Sequence, residues 1–272
     1  MKFINCAAGA AAAIVLLAGP ANAALIGVSS GSPGSVYSID AATGAATLIT
    51  DINPGSVSLT GASFLGGELY VTDNFASSLL AGTVDTNTGA YTGISDQDGS
   101  INWHGLASDE DAGLLYSIDI DDNNILKSLA ADGTVTSIGT GAGIDGRGMA
   151  YDDANDILYA TGSGGLYTVD TTTGTSTLIG SMGIDTGRIG LAFDELTGLL
   201  YANSVNTNSL YLLSIATGAA TLIGANGIGG IDGLAWIENL DVSDVPVPAA
   251  LPLFLAGMAG LGFAGRRNRK SA

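Results

Sequence analysis

One short phrase, a glycine followed by a small or apolar pair, recurs along the chain at a nearly constant interval. It reads "GASF" at Gly61, "GLAS" at Gly105, "GMAY" at Gly148, "GLAF" at Gly190 and "GLAW" at Gly233, with steps of 44, 43, 42 and 43 residues. A repeat of this length implies a unit that buries its apolar surface only against its neighbours. A second phrase keeps the same beat: "VYSIDAATGAATLIT" from Val36, "LAGTVDTNTGAYTGI" from Leu80, "LKSLAADGTVTSIG" from Leu126, "LYTVDTTTGTSTLIG" from Leu166 and "LYLLSIATGAATLIG" from Leu210. Between the two come "ELYVTD", "LLYSID", "ILYATG" and "LLYANS". Each unit therefore holds four short runs rich in β-branched, apolar and aromatic residues, bounded by Gly, Asn, Asp and Thr, which are strand and hairpin signals. The glycines at 44, 89, 133, 174 and 218 sit where tight hairpins need a positive φ.

Four antiparallel strands per unit predict an all-β, five-bladed β-propeller. An open β-solenoid and a pair of sandwiches are the alternatives. The 215 residues from Ala24 to Glu238 hold five units of 43. The first copy starts late and the last stops after "GLAWIE", so three N-terminal strands and one C-terminal strand are expected to complete a single split blade. That closure would remove a long exposed sheet edge.

The unit order "GLAFD…LLYANS…LYLLSI…TLIG" resembles NHL-type, YVTN and gluconolactonase-like propeller blades. For the gluconolactonase type the resemblance implies a central metal held by acidic and amide side chains; no set in this chain matches residue by residue. The Trp-Asp and Gly-His signature of WD repeats is missing.

Charge sets the ends apart from the body. All 26 acidic residues lie between Asp40 and Asp244, with only Lys127, Arg147 and Arg188 to oppose them. Such a body repels nucleic acid and anionic membranes. The N-terminus, 1–23, reads as a signal peptide: Lys2, then the apolar "AAGAAAAIVLLA", then "ANA", with cleavage expected between Ala23 and Ala24. Cys6 falls inside it, leaving the expected mature chain free of disulfides.

The C-terminus divides into a Pro-containing linker (239–248), an apolar segment (249–265) and a basic tail (266–272). As a helix the apolar segment would reach about 25 Å, short of the roughly 30 Å hydrocarbon core. The basic cluster Arg266, Arg267, Arg269 and Lys270 would stay cytoplasmic. An ordinary anchor is one reading. A buried core helix is a second, which the Gly and Pro content of the run disfavours. A processing signal is the third, because Val245, Pro246, Val247 and Pro248, the brief Gly-rich segment and the terminal cluster together resemble the VPLPA variant of the PEP-CTERM sorting signals. That resemblance implies export from a Gram-negative bacterium, transient insertion in the inner membrane and recognition by an exosortase-type protease. The implied destination is the cell surface or extracellular matrix, with polysaccharide or surface proteins as partners.

Site chemistry is expected where the segments between blades open beside the central channel, just ahead of each "G-Φ-A" phrase. Those positions are Thr60, His104, Arg147, Arg188 with Ile189, and Asp232, preceded by Asp145 and Asp185. The lone histidine and both body arginines fall among them. Three readings stay open: loops fastened by Arg–Asp pairs, a ligand site for an acidic sugar or another small polar molecule, and an active site around His104. "DIDDNN" places Asp119, Asp121 and Asn123 at alternate positions like the start of a Ca²⁺ loop. Asn124 at the sixth position and Ala130 at the twelfth exclude an EF-hand. A looser Ca²⁺ site there competes with a solvated acidic turn, as it does for "DQDG" at Asp96 and "DDAND" at Asp152. Two function classes follow: a non-enzymatic surface or matrix binding protein, and a secreted hydrolase or lactonase working at the channel.

Overall fold

The computed structural model describes residues 22–31, 33–53, 59–73, 79–95 and 102–240. The segments 1–21 and 241–272, with the sorting motif, the apolar segment and the basic cluster, lie outside the described residues, as does the "DQDG" turn. Among the described residues no helix is long and apolar enough to cross a membrane.

Among the described residues twenty strands form five four-stranded antiparallel sheets, arranged as the blades of a propeller. The split blade takes β1 (Asn22–Ser29), β2 (Ser35–Ile39) and β3 (Ala46–Asp51) from one end of the chain. The second blade is β4 (Leu59–Leu65), β5 (Glu68–Asp73), β6 (Leu79–Val84) and β7 (Tyr91–Ser95). The third is β8 (Ala107–Asp109), β9 (Leu114–Asp119), β10 (Ile125–Ala130) and β11 (Val135–Ile138). The fourth is β12 (Met149–Asp152), β13 (Ile157–Gly162), β14 (Gly165–Val169) and β15 (Ser176–Ser181). The fifth is β16 (Ile189–Asp194), β17 (Leu199–Ser204), β18 (Ser209–Leu213) and β19 (Ala220–Ala225). The last strand, β20 (Ile231–Leu240), returns to pair with β1, from Ala24 opposite Ile237 to Ser29 opposite Ile231. Sheet order β20-β1-β2-β3 is the expected split blade.

Burial falls from the axis outward, and composition follows it. The innermost strand β16 is buried at every position, and β17 at all but its first. These strands read as apolar runs because both faces are covered by neighbouring blades. The outermost strands β3, β15 and β19 share one mostly open pattern and are built from Thr, Ser, Leu and Ala. Between blades, the tyrosine of each "LLY" or "ILY" run stacks on the aromatic residue that ends the next blade's "G-Φ-A" phrase. Tyr116 lies 5.9 Å from Tyr151, Tyr159 5.8 Å from Phe193, and Tyr201 5.8 Å from Trp236. Two phrases 34 or 35 residues apart thus form one interlock, with geometry in the favourable range for aromatic pairs.

The hairpin between third and fourth strands repeats in four blades. Asp40, Asp85 and Asp170 each accept two backbone N–H bonds through one carboxylate oxygen, from the residues two and three further on. The N–H of Gly44, Gly89, Gly174 or Gly218 then closes the turn onto the carbonyl four residues back. At Gly44 φ is +79°, and an added Cβ would sit 2.6 Å from the Gly224 carbonyl of the preceding blade. The recurrent "T-G" therefore serves the turn and the seam between blades together.

Candidate functional site

The glycine of the "G-Φ-A" phrase sets the shape of the axis. None of the five has a positive φ, so space rather than conformation demands glycine. A Cβ on Gly105 would sit 2.5 Å from the Gly146 carbonyl, on Gly148 2.6 Å from that of Ile189, on Gly190 2.6 Å from that of Asp232, and on Gly233 2.8 Å from the Gly61 backbone. Gly61 completes the circle against the His104 carbonyl. Each blade leans on the next through this point. The five glycines thus form a ring of close inter-blade contacts, a waist between the two ends of the axis.

Above the waist, on the face of the connecting segments, the sequence-derived positions divide into two groups. Thr60 and Ile189 are packed away; Thr60 shares a hydrogen bond with Thr72 at 3.1 Å. His104, Arg147, Arg188 and Asp232 gather. Arg147 Nε donates to Asp145 Oδ2 at 2.9 Å. Arg188 donates to Asp232 Oδ2 through Nη2 at 2.6 Å and Nε at 3.0 Å, and its Nη2 also reaches Ser30. Asp185 is held by the Gly187 N–H at 2.8 Å and Asn206 Nδ2 at 2.7 Å, which orders the loop that carries Arg188.

The electrostatics follow from burial and these pairs. His104 is half-buried, and desolvation, then the Arg147 and Arg188 charges, push its pKa down to about 4 against the pull of Asp145 and Asp121. It is neutral at pH 7. Burial raises the Asp232 pKa, while Arg188 and Arg147 oppose that rise. The site offers two guanidinium groups, each tied to a carboxylate, beside a neutral imidazole. That suits hydrogen bonding to a polar or anionic ligand and gives no nucleophile with an adjacent base.

Asp119, Asp121 and Asn123 each engage a protein partner. Lys127 Nζ lies 3.6 Å from Asp119 Oδ2 and 2.7 Å from Asp122 Oδ2, so an ammonium group already serves as the cation of this turn. Asp121 Oδ2 accepts from Asn102 Nδ2, and Asn123 Nδ2 donates to the Thr140 carbonyl. Among the described residues no group of three His, Cys, Asp or Glu is placed to hold a metal ion.

Below the waist is a feature the sequence reading passed over: a cavity of about 530 Å³ lined by the innermost strands of the blades. Phe64, Met149, Leu191, Leu234 and Trp236 contribute its walls. Glu110, Asp153 and Glu195 stand at its lip. They form a relay around the ring: the Gly66 N–H donates to Glu110, the Glu110 N–H to Asp153 at 2.8 Å and the Asp153 N–H to Glu195 at 2.9 Å. Its sequence signal is an acidic residue five places after the phrase glycine in successive copies.

No protein-family model matches the sequence, and no curated protein matches it. Solved structures do. The chain is similar to one in a nidogen/laminin complex, with TM-score 0.58 and 15% identity over 80% of this chain and 100% of that one. It also matches glutaminyl cyclase from Myxococcus xanthus (TM-score 0.44, 18% identity, 66% of this chain and 70% of that one). A third match is a catalytically inactive virginiamycin B lyase from Staphylococcus aureus bound to quinupristin (TM-score 0.45, 15% identity, 73% and 69%). At such identities the first likeness shows the propeller fold, and the functions of these neighbours are mixed.

Proposed function

We propose that this chain is an exported, non-enzymatic propeller of the cell surface or extracellular matrix, binding an acidic saccharide at the cluster of His104, Arg147 and Arg188. The observation that carries this reading is the meeting of both body arginines and the lone histidine at one end of the axis. In a body of 26 acidic residues these are nearly all the charged donors available to an anion. The pairs to Asp145 and Asp232 hold the donors in place. The terminal segments supply the export half of the reading: a signal peptide before Ala24, and a tail resembling a PEP-CTERM signal, read by an exosortase-type protease.

A glycan panel tests the site. Wild-type protein should bind an acidic saccharide, weakly at low salt and better as screening shortens the repulsion of the body below about 10 Å. The Arg147→Ala/Arg188→Ala double variant should lose that binding while remaining folded at room temperature. A wild-type protein that responds to no glycan, with a variant whose thermal midpoint falls steeply, makes the arginines loop fasteners and overturns the proposal. Mass spectrometry of the protein from its native host tests the export half. The mature chain should end near Val245 to Ala250, and full-length chains retained in the membrane would sink the processing reading.

A further inference from the structure

The cavity below the waist takes no part in the saccharide reading, and its chemistry is of the opposite kind. At about 530 Å³ it falls within the range of small-ligand sites. Its walls are mostly apolar, with Phe64, Met149, Leu191, Leu234 and Trp236 among them. Its lip is acidic, and among the described residues no Lys or Arg lines it. All three basic residues of the body are already paired at the connecting-segment face, Lys127 with Asp119 and Asp122, Arg147 with Asp145, and Arg188 with Asp232.

The lip carboxylates therefore pay for partial burial without a protein cation. Desolvation pushes Asp153 up to about 6, and the neighbouring Asp109, Glu110 and Asp111 add to the rise. Glu195 is raised by burial and by Asp152 and Asp153. The backbone N–H bonds of the relay oppose these shifts without offsetting them. Each carboxylate oxygen keeps the capacity for a further hydrogen bond, since it has two lone pairs. In the wall, the indole N–H of Trp236 is buried with no hydrogen-bond partner. A pocket with largely apolar walls and an uncompensated acidic lip is complementary to a cation on an apolar stem.

We propose that this cavity binds a small organic ammonium, with its apolar stem against Met149, Leu191 and Leu234 and its charge among Glu110, Asp153 and Glu195. Adding a cation there relieves the like-charge repulsion of the lip, and burying the stem supplies the hydrophobic contribution. The apolar fit separates this site from the general attraction of an acidic surface for counter-ions.

The test is a titration of the full chain with phenethylamine near pH 7.5, read by calorimetry and by tryptophan fluorescence. Phenethyl alcohol serves as the neutral counterpart and phenylacetate as the anion. The amine should give saturable, one-site binding and change the Trp236 emission, a signal lost in Trp236→Phe. The alcohol should bind about tenfold more weakly or worse, and phenylacetate should give nothing. Asp153→Asn with Glu195→Gln should weaken the amine about tenfold or more, whereas Asp153→Glu, which keeps the charge, should bind nearly as wild type. Below pH 6 amine binding should fade as Asp153 takes up its proton. The Arg147→Ala/Arg188→Ala variant should bind the amine unchanged, so failure of the saccharide reading and failure of this one are distinguishable. A linear, non-saturating response overturns the proposal, as does equal affinity for the alcohol or equal loss in Asp153→Asn and Asp153→Glu.

Discussion

Arg188, on the segment ahead of β16, lies 2.6 Å from Asp232 on β20, so one ion pair joins the fifth blade to the strand that closes the ring. The same guanidinium reaches Ser30, just after β1, and so touches both halves of the split blade. Asp232 is only 4% exposed, while the Arg188 side chain is 45% exposed. Removing Arg188 would leave a buried carboxylate uncompensated. Solvent screening at the exposed guanidinium holds the cost of Arg188→Ala to about 1–2 kcal/mol. The thermal midpoint should drop by a few degrees. With Arg188 gone the Asp232 pKa rises further in the folded state. A raised folded carboxyl binds its proton more tightly than the unfolded chain does, so the gap from wild type should be widest at neutral pH and narrow on acidification. Thermal melts of both proteins across pH 4 to 7 check this.

His104 is the only histidine of the chain, which makes its titration directly observable. Proton NMR of its ring should give a midpoint near 4 in the folded protein, against about 6.5 unfolded. A folded pKa below the unfolded one means that the unfolded chain takes up the proton first. Stability is therefore fully present above about pH 6.5 and is lost as pH falls towards 4, by roughly 2–3 kcal/mol. Asp153, raised to about 6, works in the opposite direction over much of the same window. Wild-type stability should be nearly flat there, while His104→Gln should gain on acidification and Asp153→Asn should lose the compensation.

The glycine waist predicts a contrast within one kind of substitution. Gly148→Ala and Gly190→Ala each drive a Cβ to within 2.6 Å of a neighbouring blade's backbone, which cannot move without opening the ring. Each should cost about 1–3 kcal/mol or more by overpacking. Gly113→Ala, at φ +66° with nothing within 4 Å, should cost only the left-handed backbone penalty of about 1 kcal/mol. Urea unfolding of the three variants separates the two causes, and equal losses would argue against a waist.

Closure predicts the behaviour of truncations. A chain from Ala24 to Asn239 retains the pairing from Ala24 opposite Ile237 to Ser29 opposite Ile231. It should fold as a monomer with β-rich circular dichroism. A chain beginning at Ala41 lacks β1 and β2, leaves β20 without its partner and should aggregate through the exposed edge. Size-exclusion chromatography distinguishes them, and equal behaviour would refute the split blade.

The blade was legible in the sequence because everything that makes one is local. Strand length, the Asp-to-Gly hairpin turn and the period of the phrase glycine each depend on residues within about forty positions, and five copies repeat the signal. The gathering of His104, Arg147, Arg188 and Asp232 was legible for the same reason, since equivalent positions of equivalent units share one end of the axis. What those groups do to one another was decided only in three dimensions. Lys127 fills the turn that reads as a Ca²⁺ loop, because a third-strand side chain folds back over the end of the second strand. The glycine ring and the acid-lipped cavity exist only once five blades close. At the glycine ring an added Cβ on one blade would come within 3 Å of its neighbour's backbone, and such a spacing is set by closure of the ring and by no single stretch of chain.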